Sequence, residues 1–284
     1  TVPLICSAEE ITGKIDGLTA TANLETTGDD WTDGPVLLMT HGTLAHNRME
    51  IMRTLQRVFK DRGYSSLAVN LTLGLSDREG MYDCATPHTH RHTDAVDEIG
   101  YWLQWLKEQG VDSAVLLGHS RGGNQTAWFV AEHDDPAVKG VILLAPQTWS
   151  EKKEARGYEK RYGEALAPIL AEARERVADG RGDELMDVDF IYCEDTRATA
   201  EAFVNYYGAD ERMDTPHLVK QIDKPVLVFV GSDDDVVADL IEKMEPVAGA
   251  DNVQFEVFDG AGHFFRDLWA EDVGDYAADF IEEL

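Results

Sequence analysis

Residues 115–123 read Val-Leu-Leu-Gly-His-Ser-Arg-Gly-Gly, so Ser120 stands in a Gly-x-Ser-x-Gly pattern between an apolar run and a helix-compatible stretch, Asn124 to His133. A serine placed between a strand and a helix must turn sharply, and glycines two residues to either side relieve the crowding of that turn. The turn lifts the hydroxyl clear of the backbone. It also leaves a helix N-terminus, with unpaired N–H groups and the positive end of its dipole, facing whatever lies above. The chemistry this suits is nucleophilic attack by Ser120 on a carbonyl carbon. The competing reading is a glycine-rich helix start with Ser120 as its N-cap.

On these residues the chain resembles the α/β-hydrolase fold family. The resemblance implies a histidine in the loop after the last strand. Phe258-Asp259-Gly260-Ala261-Gly262-His263-Phe264-Phe265 follows the run Val253 to Val257, which puts His263 there. It also implies an acid after the penultimate strand, read as Pro225 to Val230, where Gly231-Ser232-Asp233-Asp234-Asp235-Val236-Val237 follows. The family spacing of Gly, two residues, Asp, two residues, Val selects Asp234, with Asp233 and Asp235 as alternatives. The order serine, aspartate, histidine is the family's order. A serine hydroxyl is a weak nucleophile near neutral pH, so neutral His263 would take its proton and return it to the leaving group. Asp234 would hold the right tautomer and stabilise the imidazolium without becoming protonated. Met39-Thr40-His41-Gly42-Thr43-Leu44 looks like the family's His-Gly segment. From it the resemblance implies an oxyanion hole made by the backbone N–H groups of Thr43 and Arg121, with His41 bonding backbone in the turn. No cofactor and no metal enters this scheme.

Two features depart from the family pattern. The segment between the fourth and fifth parallel strands matches no subfamily, and Arg121 is an unusual bulky cation beside the nucleophile. Arg121 is expected to pair with an acid of that segment; the alternative is that it meets an anionic substrate. Elsewhere, His88, His90 and His92 alternate along the chain. Three histidines can hold zinc, but these are read as a loop lining the pocket mouth. His119 is expected to pack or bond locally. Of the three cysteines, Cys6, Cys84 and Cys193, one pair can bridge; Cys84 with Cys193 is the choice, because both fall in segments placed near the same mouth.

The elements that must position these groups follow from hydrophobic periodicity. Runs at Val36–Met39, Ser66–Val69, Ser113–Leu117, Gly140–Leu144, Pro225–Val230 and Val253–Phe258 are apolar without alternation, as in strands buried on both faces. Between them Ile51, Leu55, Val58 and Phe59, and again Ile99, Trp102, Leu103 and Leu106, make helical stripes. A last helix is expected over Val273 to Leu284, and a Thr-rich antiparallel hairpin over Ile11 to Thr27. The fold class is therefore α/β, a mostly parallel central sheet flanked by helices. Residues 149–222 are charged and helix-prone and too long for a simple crossover. They are read as a helical cap inserted over the sheet's carboxyl edge, with residues 1–148 and 223–284 as the core.

With 284 residues, 43% hydrophobic and 28% charged, the composition is that of an ordinary globular chain. The net charge of −29 repels phosphates, so nucleic acid is not an expected partner. The apolar runs are too short to span a bilayer. Thr1 in place of an initiator Met fits a trimmed chain or a mature one; together with the acidity and the possible bridge it leans toward a secreted or periplasmic location, otherwise cytoplasmic. The partner expected is a small-molecule ester, and oligomeric state is left open. The leading function is a serine hydrolase cleaving a carboxylic ester of a small or medium substrate through an acyl-serine. The alternatives are the same triad acting on a thioester, an amide or a C–C bond, or as a cofactor-free perhydrolase, and, in another class, a non-enzymatic hydrolase-like ligand-binding protein.

Overall fold

A strand that is apolar at every position needs a covering layer on each side, and the sheet of this protein meets that need. The computed structural model describes residues 8–284; Cys6 lies outside them. Strands β1 (Ala8–Ile15) and β2 (Leu18–Glu25) form a hairpin. Its turn residues Asp16 and Gly17 both take positive φ, 49° and 84°, as a two-residue turn that follows the twist of its strands requires. After them come β3 (Val36–Thr40), α1 (Glu50–Asp61), β4 (Ser65–Asn70), α2 (Asp94–Glu108), β5 (Ala114–His119), α3 (Arg121–Glu132) and β6 (Val138–Leu144).

The segment beyond β6 holds α4 (Glu151–Tyr162), α5 (Leu166–Ala178), β7 (Leu185–Phe190), β8 (Cys193–Thr199), α6 (Ala200–Tyr207), a 3-10 turn (Glu211–Met213) and α7 (Thr215–Val219). The chain then returns through β9 (Val226–Gly231), α8 (Leu240–Met244), β10 (Val253–Phe258) and α9 (Leu268–Glu282).

Eight strands make one sheet in the order β1-β2-β4-β3-β5-β6-β9-β10. The six from β4 to β10 run parallel, and the hairpin joins β4 antiparallel at one edge. Every residue of β3, β4, β5 and β9 is buried. Helix α1 packs with α9 and α2 with α3, covering the two faces; Trp102 of α2 is fully buried. From β3 the chain moves to β4 on one side and then to β5 on the other. This reversal opens a crevice beyond the carboxyl ends of β3 and β5, where parallel α/β sheets bind ligands.

The segment expected to be helical is not wholly so. β7 and β8 form a separate antiparallel pair. Met186, Val188 and Phe190 alternate with Asp187 and Asp189, a strand period whose acids disguise it. The connecting Ile191 and Tyr192 adopt φ of 41° and 69°, so the turn lacks the Asn-Gly or Asp-Gly letters that announce such hairpins. Cys84 and Cys193 are joined by a disulfide with Cα atoms 5.3 Å apart. Beside it the backbone of His88 pairs with β8, stitching the loop after β4 to this hairpin.

Candidate active site

Ser120 lies between β5 and α3 with φ 56° and ψ −122°, a region that non-glycine residues avoid. Holding it there costs about 1–3 kcal/mol, met only where the surroundings over-determine the turn. The two flanking glycines supply that determination. A Cβ on Gly118 would strike the carbonyl of Gly122, and one on Gly122 would strike the carbonyl of His41. β5, α3 and the loop after β3 are therefore in backbone contact. Ser120 is the N-cap residue of α3 by position, but its side chain caps nothing. Its Oγ instead lies 2.9 Å from His263 Nε2.

His263, in the loop after β10, bonds Asp234 Oδ2 through Nδ1 at 2.7 Å. Nδ1 then carries the proton, and Nε2 accepts from the Ser120 hydroxyl. Asp234 is 4% exposed and His263 8%. The other oxygen of Asp234 accepts the N–H groups of Val236 and Val237 at 2.9 and 3.1 Å. Burial pushes this carboxyl up, but the hydrogen bond from His263, its charge and the two N–H groups outweigh burial and hold the pKa below the ordinary value. Asp233 and Asp235 are exposed and bond neither His263 nor Ser120; Asp233 accepts from the Ser232 hydroxyl instead.

The His-Gly loop runs beside the elbow, so close that a Cβ on Gly42 would stand 3.1 Å from the Ser120 Cβ. Thr43, Ser120 and Arg121 line one cavity of about 540 Å³. Among the described residues the backbone N–H groups of Thr43 and Arg121 have no hydrogen-bond partner.

The loop is held from behind. His41 Nδ1 donates to Gly42 O at 2.9 Å, while its Nε2 accepts from Leu71 N–H and from Arg78. Burial, and next the Arg78 charge, push the His41 pKa down to about 3, so it is a neutral strut and no base. Glu98 accepts the N–H and hydroxyl of Thr72, and burial raises its pKa to about 7 against those bonds.

Other groups sit elsewhere than the sequence led one to expect. Arg121 pairs with no acid of the segment beyond β6 among the described residues. Nε bonds Thr43 Oγ1 at 3.1 Å, Nη1 bonds His92 Nδ1 at 3.2 Å, and the guanidinium lies 5.0 Å from the Tyr206 ring centroid. His88, His90 and His92 do not line the pocket mouth; all three are buried. They pack on Tyr82, Phe190 and Tyr206 and hydrogen-bond one another, Tyr206, Asn124 and Arg121. Two of these neighbours, Phe190 and Tyr206, arrive from the segment beyond β6, which periodicity alone does not bring near. No group of three or more His, Cys, Asp or Glu is arranged for a metal among the described residues, nor is any helix there long and apolar enough to cross a membrane.

His119 makes a long-range contact rather than the local one expected of it. Its Nε2–H donates to the carbonyl of His263 at 3.0 Å, tying the elbow to the histidine loop, and burial followed by the His263 charge lowers its pKa to about 3. Its place inside the Gly-x-Ser-x-Gly pattern was the only signal.

A family model described as serine aminopeptidase, S33, matches residues 35–267. A bifunctional esterase/perhydrolase of Acinetobacter calcoaceticus is 27% identical over 158 residues, 50% of this chain and 56% of that one, so the match spans little more than half of that relative's length. The fold is similar to that of Est1E from Butyrivibrio proteoclasticus, with a TM-score of 0.66 at 17% identity over 98% of both chains. It is also similar to the esterase domain of a Rhodothermus marinus protein, with a TM-score of 0.63 at 19% identity over 98% of both chains.

Proposed function

The chain belongs to the S33 serine aminopeptidase family of α/β-hydrolases, and from that premise we propose that it is a carboxylic-ester hydrolase working through an acyl-serine, with Ser120 as nucleophile, His263 as base and Asp234 as the acid that orients it. The observation that carries the reading is the chain of hydrogen bonds from Ser120 Oγ to His263 Nε2 and from Nδ1 to Asp234, at 2.9 and 2.7 Å, beside the two unpartnered N–H groups.

Ser120 Oγ attacks the ester carbonyl carbon as its proton passes to Nε2. The carbonyl oxygen takes up the displaced electron pair and meets the N–H groups of Thr43 and Arg121, each worth about 10² to 10³ in rate. The pair returns to re-form the carbonyl, the bond to the alcohol oxygen breaks, and His263 gives its proton to the departing alkoxide. Water then adds to the acyl-serine, its proton going to His263 and on to Ser120 as the carboxylic acid leaves.

In this reading residues 149–222 act as the cap over a core of residues 1–148 and 223–284. Lys153, Tyr158, Tyr192 and Tyr206 line the same cavity as Ser120, which supports that role.

The test is a fluorophosphonate probe followed by peptide mass spectrometry, with a pre-steady-state burst on 4-nitrophenyl acetate. Labelling of Ser120 and a stoichiometric burst are expected; a folded protein that neither labels nor turns over the ester would overturn the proposal. The relative's name favours a second reading, peracid formation. There hydrogen peroxide replaces water on the acyl-serine and leaves as the peracid, and a peroxide-dependent halide oxidation assay would detect it.

A further inference from the structure

Acids outnumber bases in the chain by 54 to 25. The cavity above Ser120 reverses that balance, with Arg121, Lys153, Lys160 and Arg161 against Glu154 and Asp235. Lys153 is spent on Asp239, 2.7 Å away. Arg161 lies over the Tyr192 ring at 4.0 Å. Neither Arg161, Lys160 nor Arg121 pairs with a carboxylate among the described residues, although the chain carries a large excess of acid.

Arg121 is the innermost of them, and its guanidinium is held in place. Nε is fixed by Thr43 Oγ1, Nη1 by His92 Nδ1, and the ring of Tyr206 lies beside it, while Nη2 has no partner among the described residues. His92 supplies no countercharge, because its Nε2–H is committed to Asn124 and its Nδ1 accepts from the arginine. A half-buried cation kept rigid by neutral partners, with donors left over and a cavity in front, is equipped to take an anion in a charge-assisted, two-pronged contact. Glu154 of the same lining feels the Arg121 charge but forms no ion pair with it, so the free guanidinium donors stay open to a ligand.

We infer that the ester accepted here carries a carboxylate on its acyl part, bound by Arg121, with Lys160 and Arg161 drawing it in at the rim. The inference rests on the ester-hydrolase reading above. Two observations select the acyl part. The Arg121 side chain is bonded to Thr43, on the side where the two free N–H groups await the carbonyl oxygen. His263, which serves the leaving group, approaches Ser120 from the loop after β10. Glu154 and Asp235 in the same lining disfavour a dianion such as a phosphate monoester.

The experiment compares two esters with the same five-carbon acyl chain, 4-nitrophenyl valerate and mono-4-nitrophenyl glutarate. It is run at about 0.15 M salt, where the remote acids are screened beyond about 8 Å but a direct contact survives. The ratio of kcat/KM for glutarate over valerate is expected to exceed one in the parent. It should fall about 10- to 100-fold in Arg121→Gln, the worth of a hydrogen bond to a charged group. Arg121→Lys should fall between, and Arg161→Gln should lower the ratio less. The ratio cancels any general loss of activity, and a melting curve of each variant checks folding. A parent ratio at or below one, or a ratio that Arg121→Gln leaves in place, overturns the inference while valerate turnover keeps the esterase reading. Absence of turnover on both esters, with Ser120 unlabelled, defeats the esterase reading instead.

Discussion

Ser120 and Asp234 follow β5 and β9, strands buried at every position, whereas the side chains over Ser120 in the cavity come largely from α4, where Tyr158 is the single buried residue. On the floor each atom of the proposed catalytic set is fixed by backbone that cannot move without breaking the sheet. The elbow is wedged between carbonyls, the histidine loop is pinned by His119, and Asp234 is held by two N–H groups. The wall is charged and wet, with Tyr192 half exposed at the turn of the β7–β8 hairpin. The difference separates two jobs. A rigid floor suits bond-making, where small displacements cost orders of magnitude in rate. A polar wall on a separate hairpin and helix can set which ester is accepted without disturbing the floor.

The sharpest way to break this division is at the floor. Ser120→Ala should lower turnover of an activated ester by about 10⁶-fold while the melting temperature stays close to the parent's, since Oγ makes only the bond to His263. Single-turnover kinetics with a coupled melting curve checks both. Retained turnover would mean the nucleophile is another group. Next in size is Asp234→Asn, expected to cost about 10⁴-fold. The amide keeps an oxygen for Val236 and Val237, but its NH₂ faces Nδ1–H and drives His263 into the tautomer that cannot accept from Ser120. An unchanged kcat for this variant would show that the acid is not part of the unit.

The wall offers the complementary prediction. The disulfide closes a loop of 109 residues and ties the hairpin to the segment after β4. Its loss in Cys84→Ser should destabilise the protein by about 4 kcal/mol in denaturant unfolding, while fluorophosphonate still labels Ser120 in the folded variant. Labelling that disappears along with the bridge would show that floor and wall are one cooperative unit.

The floor was legible in the sequence because each of its constraints is local. Gly118 and Gly122 stand where a Cβ would collide, and Gly231 and Val237 bracket Asp234. Strands buried on both faces print as unbroken apolar runs. The wall was not legible. β7 alternates apolar residues with Asp187 and Asp189, and its turn uses Ile191 and Tyr192 in a left-handed conformation that no sequence rule proposes. The destinations of Arg121 and of His88, His90 and His92 depended on Tyr206 and Phe190, about a hundred residues away. Spacing along a chain carries no information about such partners. The Cys84–Cys193 pairing is legible only through the expectation that both segments lie near one mouth.

The smallest of these effects tests how the floor is held from behind. Glu98 is buried behind Thr72, whose neighbour Leu71 bonds His41; its carboxyl is bonded to Thr72 and its pKa raised from 4.5 to about 7. Between those two values the unfolded chain has released this proton and the native protein still holds it. The stability that Glu98 itself contributes therefore falls as pH rises through that window and levels off above it. The drop attributable to this group is about 3 kcal/mol, from a shift of between two and three units. Glu98→Gln cannot ionise, so the parent's unfolding free energy minus the variant's should fall by about that amount between pH 4.5 and 7.5. The surface acids titrate alike in both proteins and cancel in the difference. Parallel curves for the two would show that Glu98 is already charged in the native state, paired with the Arg78 charge. In that case the loop would rest on a buried ion pair, and Glu98→Gln, by stranding Arg78, would destabilise most at high pH rather than least.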